Sequence, residues 1–447
     1  MYRNILLLNP WIYDFSAYNL WIKPLGLYYL ATYLRKNGHK VSLIDCLEMD
    51  SSNANSAKAF PKTKMFGEGK FYAEEIAKPK CLEGVPKKYK RYGLPLCLLE
   101  KKLQCIEEPD FIFITSMMTY WYPGVWDAIK VLKNFFPQST IVLGGIYATL
   151  CYEHSQNSGA DIVVAGAVED SFRYIQENIL ECPVKYLPNK EEPDNLPYPA
   201  FELASRTDYV PILAGRGCPF RCSYCASQIL NSQFFRRTPT KVLDEIEFYL
   251  EKFGTRNFVF YDDALLYDSK GFFLPFAKMV LQRKMAINFH SPNGLHLSEI
   301  NSDVAEMLFA AGFKTIRFGL ETSNPQRQKE SGGKVVNEQF VTAMKMLHEA
   351  GYTQEDIGVY ILCGLPEQGV KEVEETIAFV QKNRAKAILA EFSPIPHTRL
   401  WKEALSHSEY DLAKEPLFQN NTLLPCASTE MRESLQRLKT ISRQTPE

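Results

Sequence analysis

The sequence predicts an α/β protein of two domains: a doubly wound, Rossmann-like parallel sheet followed by a partial, TIM-like (β/α)6 barrel with a short C-terminal cap. Three observations predict it. Short, continuous apolar runs, the mark of strands buried on both faces, alternate with stretches whose apolar residues recur at helical spacing. The alternation occurs twice, separated by Glu191-Glu192-Pro193 and Leu196-Pro197-Tyr198-Pro199, which cannot continue a helix or a central strand. The 447 residues, 46% hydrophobic and 23% charged, suffice for two such cores and exclude wholesale disorder.

In the first series (residues 1–185), the strand Ile5–Leu8 is closed by Asn9-Pro10. A helix carrying Leu27, Leu30, Ala31 and Leu34 runs to Gly38, a C-cap residue. Val41–Ile44 and Phe111–Thr115 are strands, and Val125, Ile129 and Leu132 mark the helix after the latter. Ile141–Leu143 runs into Gly144-Gly145, and Ile162–Val164 into Gly166. Residues 50–102 interrupt the pattern without periodicity and read as an insertion, a lid-like excursion or a mobile loop. Residues 186–205 are the linker.

The second series (206–402) has strands at Val210–Ala214, Asn257–Tyr261, Ile287–His290, Thr315–Gly319, Ile357–Leu362 and Ala387–Phe392. Its helices include one opened by Thr238-Pro239, and others over 302–311, 336–350 and 370–382. These are six strand–helix units, short of a complete eight-fold barrel. Residues 403–447 are a helix-bearing cap and polar tail.

Lys+Arg is 51 and Asp+Glu 52, so the net charge of -1 gives no reason to expect nucleic acid or an anionic membrane as partner. The apolar runs are too short for an export signal or a membrane span, and a cytoplasmic location is expected. The 11 cysteines do not suggest a disulfide framework. Cys46, Cys81, Cys97, Cys105, Cys151, Cys182, Cys363 and Cys426 stand alone and read as small core residues. Cys218, Cys222 and Cys225 do not stand alone.

The segment Gly215-Arg216-Gly217-Cys218-Pro219-Phe220-Arg221-Cys222-Ser223-Tyr224-Cys225 follows a predicted strand directly. Three thiolates at C-x3-C-x2-C spacing can converge on one centre, and thiolates suit zinc or iron–sulfur clusters. Structural zinc would need a fourth Cys or His nearby, and none is there. Three ligands on a [4Fe–4S] cluster leave one iron open to a small molecule.

C-x3-C-x-Φ-C, with Tyr224 as Φ, resembles the signature of the radical S-adenosylmethionine (SAM) superfamily. The chain is especially similar to the branch with an N-terminal cobalamin-binding domain. The resemblance, over about 1–402, implies that Cys218, Cys222 and Cys225 hold a [4Fe–4S] cluster whose fourth iron is chelated by SAM. Tyr261-Asp262-Asp263 resembles the acidic motif facing the methionine amino group, or is a solvated pair in a turn. Arg317-Phe318-Gly319-Leu320-Glu321-Thr322 resembles the G-x-E segment, making Glu321 a SAM contact or else a surface partner of Arg327. Gly364-Leu365-Pro366 and Pro394-Ile395-Pro396-His397-Thr398 resemble the adenine-flanking loops. Tyr224, Asp262, Asp263 and Glu321 are thus the expected SAM residues.

Lys23-Pro24-Leu25-Gly26-Leu27 and the strand that follows resemble the opening of attached cobalamin domains. Pro24 and Gly26 in that opening, with Ser116, Met117, Gly144, Gly145 and Gly166 at the C-terminal ends of strands three to five, are the expected cobalamin contacts. The chain lacks the D-x-H-x-x-G motif whose His ligates cobalt; His39 and His154 read as surface residues. The resemblance implies reductive cleavage of SAM to methionine and a 5′-deoxyadenosyl radical, an external low-potential electron donor, and cobalamin-dependent methylation of an unactivated centre in a small-molecule or peptide substrate. Rearrangement, cyclisation or dehydrogenation without cobalamin is the alternative, and a non-catalytic metal scaffold a third reading. Lys87, Lys88, Lys90 and Arg91 could meet an anionic substrate or form a solvated charge run, and the stretches Trp11–Tyr13 and Tyr120–Tyr122 could line a pocket or pack in the core.

Overall fold

The computed structural model describes residues 2–48 and 63–444. The chain forms two compact units: Met1–Asp208 with Lys414–Leu417, and Tyr209–Ala413 with Phe418–Glu447. The residues expected to link the domains pack within the first unit, on the helix Leu25–Lys36. Thr32 Oγ1 donates to the Tyr198 carbonyl at 2.9 Å and Ala200 N to that of Tyr28 at 3.1 Å.

The first unit holds a parallel sheet of β1 (Asn4–Asn9), β2 (Lys40–Asp45), β3 (Phe111–Ile114), β4 (Thr140–Leu143) and β5 (Ile162–Val163). The spatial order is β2-β1-β3-β4-β5. Ile5, Leu6, Leu7 and Leu8 are all fully buried, because β1 is covered on both faces. The strand order reverses between β1 and β3, and at their carboxyl ends a doubly wound sheet opens a crevice for a ligand.

The described part of the insertion is not an irregular loop. Ala73–Glu75 and Lys90–Tyr92 form an antiparallel ladder that continues onto Ile12–Asp14 just after β1, and Leu96–Gln104 is a helix. Residues 50–62 of the insertion lie outside the described residues, as do the last three of the tail. Phe71 and Tyr92 pack with Ile12, Leu47, Tyr120 and Trp121 in one apolar cluster. Both aromatic stretches are therefore core: the Trp11 indole donates to the Leu94 carbonyl and that of Trp121 to Asp14. In the charge run, Lys88 pairs with Glu75 at 2.7 Å and Arg91 with Glu74.

His39, expected at the surface, is buried; its Nδ1 accepts from Arg3 N and its Nε2 meets Gln176. Being just ahead of β2, it fills a helix–sheet corner. His154 is half-buried against Tyr147 and Trp126. Among the lone cysteines, Cys46, Cys182, Cys363 and Cys426 are core residues, but Cys81, Cys97 and Cys105 are exposed.

The second unit is a run of six parallel strands: β6 (Val210–Ile212), β7 (Asn257–Phe260), β8 (Asn288–His290), β9 (Phe313–Glu321), β10 (Ile357–Cys363) and β11 (Lys386–Glu391). Each pairs with the next, in the order β11-β10-β9-β8-β7-β6. Between strands run helices such as Pro239–Phe253, with Pro at its first position, and Ser302–Ala310, capped by Asn301. The C-terminal segment packs Leu412 and Cys426 onto Leu362, Leu365 and Phe392 at the carboxyl ends of β10 and β11. Tyr224 joins the same cluster.

Candidate active site at the barrel mouth

The cysteine loop leaves β6 through a small antiparallel ladder, Gly215–Arg216 against Phe235–Arg236. Gly215 and Gly217 are needed there, since a Cβ at either would strike the backbone of Phe235 or Gln233. Gln228 donates to the carbonyls of Cys218 and Phe220, both at 3.3 Å. Ser223 N donates to the Ser331 carbonyl at 3.0 Å and Leu400 N to that of Ser223 at 2.9 Å. Three separate segments thus fix the loop.

The three thiols share this loop; Cys222 and Cys225 both raise the Cys218 pKa, and Cys225 raises that of Cys222. Burial is the larger cause; it pushes the Cys218 thiol up to about 11 and raises Cys222, which the Lys334 ammonium partly offsets. Cys225 Sγ lies 3.2 Å from Ser227 Oγ and is the most open of the three. Among the described residues, no three His, Cys, Asp or Glu side chains are gathered closely enough to hold a single metal ion.

Glu321 ends β9, buried, in a left-handed conformation (φ 69°). Its partner is Lys334, not Arg327, which pairs with Glu372 at 2.9 Å. Gly319 makes room for that pair: a Cβ there would lie 2.5 Å from Glu321 Oε1 and 2.6 Å from Lys334 Nζ. The Tyr224 hydroxyl interacts with Glu321 and Cys222, and the Lys334 ammonium lies 5.9 Å from its ring centroid. Despite its burial Lys334 titrates above the usual lysine range, held up by Glu321, Cys222 and Cys225. Tyr224 and Glu321 therefore meet beside the thiols.

Asp262 and Asp263 do different jobs, and neither is a solvated turn residue. Asp262 accepts from the amides of Ala214 (3.0 Å) and Gly215 (2.7 Å), tying β7 to the root of the cysteine loop. Burial pushes its carboxyl up to about 6 despite these bonds. Asp263 instead interacts with Ser227, two residues past Cys225, and its charge reaches Cys218. Gly364 N donates to Gln368 Oε1 at 2.8 Å in the loop after β10. Thr398 O–H donates to the Ile395 carbonyl, also at 2.8 Å, in the loop after β11.

Lys334 and His296 were not legible as site residues. Lys334 sits in a polar Ser331-Gly332-Gly333-Lys334 run, whose paired glycines signal only a turn. His296, in the loop after β8, stacks on Phe220 of the cysteine loop at 4.2 Å and 14°. It is buried, its Nδ1 lacks a hydrogen-bond partner, and burial lowers its pKa to about 3.

In the first unit, Ser116, Gly144 and Gly145 lock β3 to β4. Ser116 Oγ donates to the Gly144 carbonyl at 2.7 Å and accepts from Ala148 N at 3.3 Å. Gly145, at φ 95°, lies so close to Ser116 that any Cβ would strike its backbone. Their small size follows from the fold itself. Met117 packs on the apolar cluster and Pro24 precedes the helix Leu25–Lys36. Gly26 and Gly166 differ: nothing lies within 4 Å of where a Cβ would stand at either, so both present bare backbone.

Residues 212–380 match the Radical SAM superfamily. Among curated proteins, the chain is 24% identical to an uncharacterised methyltransferase of Pyrococcus horikoshii, over 86% of this chain and 79% of that protein. It is 23% identical to a bacteriochlorophyllide d C-12(1)-methyltransferase of Chlorobaculum tepidum, over 68% of each. Among solved structures, it superposes on the radical SAM methyltransferase TsrM from Kitasatospora setae with a TM-score of 0.64 and 16% identity, over 90% of this chain and 76% of that one. The cobalamin-dependent SAM radical enzyme OxsB gives 0.60 and 15%, over 98% and 61%. The likeness to both is one of fold. The chain carries a radical SAM domain, the kind that works with a [4Fe–4S] cluster and SAM, and is an enzyme built around it.

Proposed function

We propose that this enzyme is a cobalamin-dependent radical SAM methyltransferase, with Cys218, Cys222 and Cys225 holding the cluster. The observation that carries this reading is the cysteine loop at the carboxyl end of β6, with a buried Glu321–Lys334 pair and Tyr224 directly beside its thiols. The donor set fits: three soft thiols on one loop, with the charges of Cys222 and Cys225 both reaching Cys218, suit an iron–sulfur cluster. When bound, the cluster supplies the electron that cleaves SAM reductively, and cobalamin supplies a transferable methyl group. Tyr224 walls the loop. Asp263, whose charge reaches Cys218, offers an acceptor for an ammonium, and Lys334 offers a cation for a carboxylate.

Three things support cobalamin on the first unit: the strand-order reversal between β1 and β3, the bare backbone at Gly26 and Gly166, and the fold likeness to TsrM and OxsB, both solved with cobalamin. With no D-x-H-x-x-G motif, the chain would offer a bound cobalt no histidine of that kind. Oxygen-free reconstitution should give about four irons per chain and yield 5′-deoxyadenosine on reduction with SAM. A Cys218→Ala, Cys222→Ala, Cys225→Ala protein that still formed deoxyadenosine would overturn the assignment. Failure to retain hydroxocobalamin after desalting would remove methyl transfer and leave the cluster chemistry standing.

A further inference from the structure

β9 alternates two faces along the barrel. Ile316, Phe318 and Leu320 are fully or almost fully buried; Phe289 of β8 packs on Phe276 of the helix Phe273–Gln282, so its neighbour His290 faces the bore, and Thr315, Arg317 and Gly319 share that face. The His290 ring, on β8, meets Thr315 Oγ1 at 3.2 Å and marks the same inner face. Arg317 is paired in register with Gly358 of β10. A Cβ at Gly358 would stand 2.7 Å from both Arg317 Cδ and Ile388 Cδ1, so the glycine is what lets the arginine lie across the bore.

The partners of that guanidinium are few. Nη1 donates to the Ile316 carbonyl at 3.0 Å, and the Tyr360 hydroxyl interacts with it. No Asp or Glu among the described residues pairs with it. By contrast Arg237 pairs with Glu245, Lys334 with Glu321 and Arg327 with Glu372, while Arg236 gives its Nη groups to the Tyr267 and Ala264 carbonyls. Burial lowers the Arg317 pKa, yet a guanidinium stays charged at any physiological pH. Tyr360 stands one inner-face position further toward the mouth, feels both Arg317 and Glu321, and donates to the Pro292 carbonyl at 2.9 Å. A polar column thus runs down the bore from Lys334–Glu321 through Tyr360 to Arg317.

A largely desolvated cation without a counter-charge is unfavourable, and a planar fork with unused N–H groups is shaped for an oxyanion. We infer that Arg317 anchors the substrate: the molecule acted on carries a carboxylate or phosphate group that pairs with this guanidinium in the bore, with Tyr360 and Ile388 as the wall beside it. The inference rests on the barrel being the reaction chamber proposed above, and it names the substrate's chemical class.

The test uses the full-length, anaerobically reconstituted protein with SAM. Calorimetry measures binding of 3-phenylpropionate and phenyl phosphate, with the uncharged 3-phenylpropanamide as control. Wild type should prefer at least one anion over the amide by about tenfold or more. Arg317→Gln, and Arg317→Leu as a second variant, should lose that preference, while Arg317→Lys keeps part of it. No preference in wild type, or the same preference in Arg317→Gln, would overturn the inference. Iron content and SAM affinity of each variant are read in parallel. Normal values with a lost preference support Arg317 as anchor, whereas wild type without iron or SAM binding sinks the proposed function instead.

Discussion

At the scale of single residues, the Glu321–Lys334 pair organises the barrel mouth. Both side chains are largely buried, so removing one charge strands the other. Glu321→Gln should destabilise the protein by about 3 kcal/mol in denaturant titration, and also weaken SAM binding. Gly319→Ala tests the same pair differently. Its added methyl meets only side-chain tips, which can shift. Deoxyadenosine formation should fall at least tenfold, while the unfolding midpoint moves little. Lys334 shows why the sequence alone left this part of the site dark. Nothing local distinguishes it from a surface lysine; only the packing of residues 331–334 on the cysteine loop makes it a site residue. The three cysteines were legible because their relation is local, spaced along one loop.

At the scale of elements, the strands were the most legible part. A strand covered on both faces must be apolar throughout, as Ile5–Leu8 is, and that run has no other good explanation. The three-residue strands Ala73–Glu75 and Lys90–Tyr92 leave no apolar signature because they are short, charged and only partly buried. Two glycines of the first unit, Gly145 after β4 and Gly26 in the helix Leu25–Lys36, carry opposite expectations. Gly145→Ala should cost about 2 kcal/mol or more, because the methyl meets the Ser116 backbone at an unfavourable φ. Gly26→Ala, in a helix with open space around it, should raise stability by up to ~1 kcal/mol. If Gly26 borders the corrin, the same variant should retain less hydroxocobalamin, so stability and binding move in opposite directions.

At the scale of the whole molecule, buried titratable groups give the fold its pH dependence. Burial lowers the His290 pKa to about 3, well below the ordinary 6.5. The unfolded chain therefore binds the proton more tightly. This histidine's contribution is fully present above pH 6.5 and is lost as pH falls toward 3, by up to ~1.4 kcal/mol per pH unit. Asp262 works oppositely: raised to about 6 from 3.8, it favours the fold below pH 3.8 and loses that effect as pH rises through about 6. In urea titrations from pH 7 to 4, His290→Gln should flatten the acid loss of stability, and Asp262→Asn should steepen it. A parallel shift at all pH values would show that neither group titrates as its surroundings dictate.

The segment Lys414–Leu417, far along the chain, belongs to the first compact unit, and there Glu415 accepts a hydrogen bond from the Tyr122 hydroxyl at 3.0 Å. The first unit is therefore not one continuous stretch of chain. A protein cut after residue 208 would lack that contact, so isolating the first unit calls for a circular permutation or a co-expressed peptide rather than a stop codon.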